Sequence, residues 1–171
     1  MWSKTLKIIA ITGAILFLYI AHHTYTERSR PFKEIPETLT NFTALKVDGT
    51  KTNFSAEKGK ATLIVLSASW CPACMAEIPS LKKIHQEYAS KGFKILMVNE
   101  DDNLKIAENF TKQQQIPWTV VHWNYDVMNA LGNPRVIPVN YLVDSDGNFE
   151  SIEAGILNEK RMRHAIESIL R

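Results

Sequence analysis

Cys71 and Cys74 are the only two cysteines in the chain, and they stand three apart in Trp70-Cys71-Pro72-Ala73-Cys74. Two thiols at that spacing can carry out dithiol–disulfide exchange. One attacks a foreign disulfide, and the other resolves the mixed disulfide that forms. They cannot make a disulfide framework, and alone they fall short of the four ligands of a structural zinc site. Met75, not His, follows Cys74, which disfavours covalent haem attachment. The chain is therefore expected to hold no metal and no cofactor.

This chemistry needs one sulfur held as a thiolate, and the flanking elements supply the means. Ala61 to Ser67 (ATLIVLS) is a continuous apolar run, the pattern of a strand buried on both faces. After the motif, Met75, Ile78, Leu81, Ile84 and Tyr88 recur at three and four, a helical period that ends at Gly92. Cys71 then falls at the helix N-cap, where unpaired N–H groups and the positive dipole end favour a thiolate. Pro72 at the first helical position has no N–H to waste. Cys74 lies one turn in, close enough to resolve, and Trp70 can shield one side of the pair.

Residues 61–82 resemble the active-site segment of thioredoxin-like proteins of the TlpA/ResA/DsbE branch. The match lies in Ala68-Ser69-Trp70-Cys71-Pro72-Ala73-Cys74 and then Glu77-Ile78-Pro79, with Pro79 where the family kinks its helix. Val136-Ile137-Pro138-Val139, Tyr141-Leu142-Val143-Asp144 and Asp146-Gly147 resemble the family's cis-proline strand and hairpin. The resemblance covers roughly residues 36–171. It implies a thioredoxin fold, protein-disulfide oxidoreductase activity, and Pro138 in the cis form facing the thiols. It also implies a bacterial, membrane-anchored, extracytoplasmic protein, disulfide-containing client proteins, and a membrane electron donor of the DsbD/CcdA kind.

Pro138 read on its own is a proline opening a strand, cis only if surrounding structure holds it so, and otherwise an ordinary trans proline. A cis bond would leave the Ile137 backbone free to pair with an extended substrate, so Trp70, Ile137 and Pro138 are the candidate substrate contacts. Glu77 has two readings. Partly buried, it would have a raised pKa and exchange protons with Cys74. Exposed, it is a solvated helix-face carboxylate. In the resembled branch a glutamate here is linked to thiol ionisation. Six residues before Cys71, where thioredoxins carry a buried acid and many TlpA-like proteins an amide, this chain has Val65. The aromatic common four before Cys71 is replaced by Ser67. Assisted proton transfer therefore rests on Glu77 or water.

The remaining pattern predicts how the site is framed. Phe42 to Leu45 and Lys51 to Phe54 flank a hairpin turn at Asp48-Gly49. Phe93 to Val98, Trp118 to His122, Val139 to Val143 and Phe149 to Glu153 read as strands. Leu104 to Gln113, Tyr125 to Leu131 and a last segment capped by Asn158 read as helices. The expectation is an α/β domain over 42–171, a central mixed sheet flanked by helices, with an N-terminal β-hairpin extension. Asp101-Asp102 reads as a helix-start charge cluster. Trp118 and Trp123 read as packing or rim aromatics. His85, His122 and His164 read as surface or structural residues.

Ile8 to Ala21 is a 14-residue run without a charge, preceded by Lys4 and Lys7. No small-x-small cleavage site follows, and the helix extends to Tyr25, so residues 1–25 read as an uncleaved signal anchor held in the membrane through 6–25. A cleaved signal peptide and a buried core helix are the alternatives. Arg28, Arg30 and Lys33 balance the leading lysines. Placement of the N-terminus in the cytoplasm, with the catalytic domain outside the inner membrane, rests on the short basic leader and on the chemistry of the domain. Residues 26–41, polar with two prolines, read as a linker.

Lys+Arg numbers 20 against Asp+Glu 18, and no basic run appears, so no nucleic-acid partner is expected. The leading function is reduction of extracytoplasmic protein disulfides, with the Cys-x-x-Cys-His of apocytochrome c as one possible client. A disulfide oxidant or isomerase on the same fold is the alternative, since surroundings set the potential over a wide range. A copper metallochaperone is third. Such relatives carry Cys-x-x-x-Cys and a histidine near the position of Ile137, and this chain has neither.

Overall fold

Strand β3 (Ala61–Ser67) is buried at all seven positions, as a run apolar on both faces requires. The computed structural model describes residues 4–29, 31–32 and 35–171, without the side chains of residues 4–7, 10 and 27–29. Of the basic groups on which membrane orientation turns, the side chains of Lys4, Lys7 and Arg28 are not described, and Arg30 and Lys33 lie outside the described residues.

β3 is an interior strand, between β4 and β6, of a seven-stranded sheet of order β2-β1-β5-β4-β3-β6-β7. The other strands are β1 (Thr43–Lys46), β2 (Lys51–Asn53), β4 (Phe93–Asn99), β5 (Thr119–His122), β6 (Val139–Asp144) and β7 (Phe149–Ala154). β3, β4 and β5 are parallel. They are joined by α3 (Pro72–Tyr88) and α4 (Leu104–Gln113), the crossovers that parallel strands require. β6 runs antiparallel to β3, and β7 to β6. The hairpin β1–β2 is not a separate appendage: β1 pairs antiparallel with β5 and extends the sheet.

Two cores lie on the two faces. Ile78, Leu81, Ile84 and Tyr88 of α3 pack with Met162 and Ile166 of α6 (Glu159–Leu170) against Leu63, Val65 and Met97. On the opposite face, Val127 and Ala130 of α5 (Tyr125–Ala130) pack with Phe42, Phe54, Leu66 and Tyr141. Phe54 opens the short helix α2 (Phe54–Glu57), which Asn53 caps. This is a thioredoxin fold, a mixed central sheet flanked by helices, as the sequence pattern predicts.

The N-terminal apolar run forms part of α1 (Lys4–Ser29), and Ile8, Ile9, Ile11, Ile15, Leu16 and Phe17 are exposed. Among the described residues no helix is long and apolar enough to cross a membrane. Within 26–41 the helix continues to Ser29, and Pro31, Phe32 and Leu39 contact the domain. The Arg135 N–H donates to the Pro31 carbonyl at 2.8 Å, and Phe32 bridges Pro134 and packs edge-on against Tyr141. Leu39 is buried, and its N–H donates to Gly147 O at 2.8 Å. Gly147 has φ +90°, and a Cβ there would stand 2.9 Å from the Leu39 carbonyl oxygen. Glycine is required at this turn for both its conformation and its clearance.

Candidate active site

The chain leaves β3 at Ser67, turns through Ala68 to Trp70, and enters α3 at Pro72. Cys71 is the N-cap in extended conformation, and its Sγ accepts the Cys74 N–H at 3.2 Å. A sulfur in that place takes up one of the orphan N–H groups of the helix end, so negative charge on it is stabilised. Cys71 and Cys74 are joined as a disulfide with Cα atoms 5.3 Å apart. Cys71 is 5% exposed and Cys74 0%, so Cys71 carries the sulfur an incoming thiol or disulfide can reach. Trp70 beside it is 64% exposed.

The Ile137–Pro138 bond is cis. Ile137 packs against Ala68, Cys71 and Cys74, so the loop entering β6 closes over the disulfide. Val136 just before it is exposed. The dithiol thus has apolar cover from Ala68, Ala73 and Ile137, and the exposed Trp70 and Val136 are the chain neighbours of Cys71 and Ile137.

Glu77 is 1% exposed, one helical turn beyond Cys74 on the same face of α3. Its Oε2 accepts from Asn140 Nδ2 at 3.1 Å and from the Leu157 N–H at 3.2 Å, while Oε1 has no partner among the described residues. Burial dominates and pushes its pKa up to about 7, against the pull of the two donors. Of the two readings of Glu77, the structure has the buried one. It brings Cys71, Cys74, Glu77, Ile137 and Pro138 to one place.

The chain matches the family model described as Redoxin over residues 33–170. The chain belongs to the Redoxin family. It is 26% identical over 146 residues to the thiol-disulfide oxidoreductase ResA of Bacillus thuringiensis subsp. konkukian, covering 84% of this chain and 82% of that protein. It is also 26% identical over 167 residues to ResA of Geobacillus thermodenitrificans, covering 94% of this chain and 95% of that one. Among solved structures, a thioredoxin-family thiol:disulfide interchange protein of Chlorobium tepidum superposes with TM-score 0.70 at 25% identity, covering 81% and 99% of the two chains. The resemblance to the TlpA/ResA/DsbE branch read from the motif is thus supported along the length of this Redoxin domain.

Sequence reasoning missed Asn140. It pairs in register with Val65, the position where a polar group was expected, and it is fully buried. The amide that contacts Glu77 therefore comes from the neighbouring strand. A polar residue two places after Pro138 in an otherwise apolar strand was the available signal. Asp101 was misread. It is buried, and the cap of α4 is Asn103, whose side chain accepts from the Lys105 and Ile106 N–H groups. His122 is also tied into this region: its Nε2 lies 2.8 Å from Asp101 O. A carbonyl can only accept, so Nε2 carries the proton.

Proposed function

We propose that this chain is a thiol–disulfide oxidoreductase that reduces disulfides of extracytoplasmic proteins. The observation that carries the reading is Cys71 as the helix N-cap of a dithiol whose second sulfur is fully enclosed. In the reduced protein the Cys71 thiolate attacks a substrate disulfide, forming a mixed disulfide and expelling a substrate thiolate. Cys74 then loses its proton, for which Glu77 is the acceptor, and attacks Cys71 Sγ. The Cys71–Cys74 disulfide forms and the second substrate thiolate leaves. The substrate gains two electrons and the enzyme loses two.

The cis Pro138 and the neighbouring Ile137 backbone are the proposed seat of an extended substrate segment, with Trp70 as an exposed apolar contact. Disulfide-containing proteins, apocytochrome c among them, are the proposed clients. A membrane dithiol protein of the DsbD/CcdA kind is the proposed electron source. The anchor reading is supported by the uncharged stretch Ile8 to Ala21 and by the exposure of its apolar side chains on α1. The short basic leader and the dithiol chemistry favour the outer side of the inner membrane for the domain.

Trapping tests the chemistry. Cys74→Ser in the full chain should accumulate a mixed disulfide with a disulfide-bonded protein, and Cys71→Ser should not. Equal trapping by both variants would overturn the assignment. The direction is read from the reduction potential. A value near that of thioredoxin, about −270 mV, supports a reductase, and one near about −120 mV reverses it to an oxidant. Retention of the full chain in membranes through alkaline extraction tests the anchor.

A further inference from the structure

The proposed exchange chemistry leaves unused a set of polar groups buried where β3, β4 and β5 end. Asp101 is 1% exposed, and a carboxylate at that depth is costly unless hydrogen-bonded. Both of its oxygens are engaged. Oδ1 accepts from the Ser69 N–H at 3.0 Å and from Ser69 Oγ at 2.8 Å, and Oδ2 accepts from Asn99 Nδ2 at 2.9 Å. Its backbone is held as well: its N–H donates to Asn99 Oδ1 at 3.0 Å, and its carbonyl accepts from His122 Nε2 at 2.8 Å. One side chain therefore ties the end of β4 to the turn that follows β3, 32 residues earlier in the chain. His122 at the end of β5 joins through the Asp101 backbone.

What it holds is the approach to the nucleophile. Ser69 stands two residues before Cys71, and the Cys71 N–H closes the same turn on Ala68 O at 3.2 Å. We propose that Asp101 is a positioning residue for the thiol pair: by gripping Ser69 it fixes the turn that presents Cys71 as the N-cap of α3. This rests on the dithiol reading of the site. Helix capping does not account for Asp101, because Asn103 caps α4. Its charge does not account for it either, since a nearby negative charge opposes a thiolate. Positioning and charge predict opposite outcomes when the charge is removed.

The test uses the full chain with its disulfide reduced, and reads the rate of Cys71 alkylation by iodoacetamide against pH. Ser69→Ala keeps the charge and the fold-bearing backbone bond but removes the hydroxyl. Asp101→Asn keeps an acceptor for Ser69 but turns an amide donor toward Asn99. Both variants should move the thiolate midpoint to higher pH and slow alkylation at pH 7 by at least about threefold, a fraction of one hydrogen bond's worth of order. Thermal melts establish that each variant is folded. An unchanged or faster rate in either folded variant overturns the proposal. If the unaltered chain shows no thiol pair that equilibrates with a dithiothreitol redox buffer, the dithiol reading itself falls and takes this proposal with it.

Discussion

Glu77 carries a carboxyl that burial pushes up to about 7 from 4.5, although Asn140 and the Leu157 N–H pull it down. Below pH 4.5 the group is protonated both folded and unfolded. As pH rises from there, the unfolded chain releases the proton while the folded one keeps it. Stability therefore falls through that window and levels off above pH 7. The full loss is about 3 kcal/mol, from 2.5 pH units of displacement. Glu77→Gln should abolish this fall. Urea denaturation of the two proteins at pH 5 and pH 8 checks it, and parallel losses in both would refute it. The same window covers neutral pH, where the group can both take and return a proton beside Cys74. The sequence left the buried and the solvated readings of Glu77 both open, because a glutamate on a helix gives no sign of its depth. The partner that sets its surroundings, Asn140, is 63 residues away in the chain.

The elements that carry the site were far more legible, because each announces itself locally. The largely apolar run of β3, buried at all seven positions, and the three-and-four spacing on α3 are direct signatures of double-sided and single-sided burial. Cys71 could be placed at a helix start because Pro72, without an N–H and with φ preset, suits the first helical position. Caps were read unevenly. Asn158 was found, since it stands just before a clear amphipathic run, and its side chain accepts the Arg161 N–H at 3.0 Å. Asn103 was passed over for the acidic pair beside it, because charge near a helix start looks alike whether it faces solvent or is buried against a serine hydroxyl. Asn158→Ala should destabilise the domain by about 1 kcal/mol in urea denaturation. Asn158 follows Leu157, whose N–H reaches Glu77. An effect near zero would mean that α6 is held by Met162 and Ile166 alone.

At the scale of the whole molecule, pairing across long sequence distances was the hidden part. The hairpin β1–β2 was visible, but its docking on β5 was not, since nothing in either strand names the partner. The same is true of the segment after α1. It looked like a free linker, yet Pro31 and Phe32 lie on the loop leading to Ile137. Phe32→Ala should loosen that contact and speed deuterium exchange at the Arg135 amide by roughly tenfold, the effect of about 1.4 kcal/mol of local stability. An unchanged rate would show that the Pro31 carbonyl holds the loop unaided. This contact also fixes a distance. Two residues from the end of α1 to Pro31, one hydrogen bond, two residues to Ile137 and one side-chain contact to Cys71 add up to no more than roughly 25 Å. With the C-terminal end of α1 held by the anchor proposed above, the nucleophile would work on a short leash. It would sample only a shallow shell around that mooring, where a partner fixed in the same shell would meet it at high effective concentration and a distant one would not meet it at all.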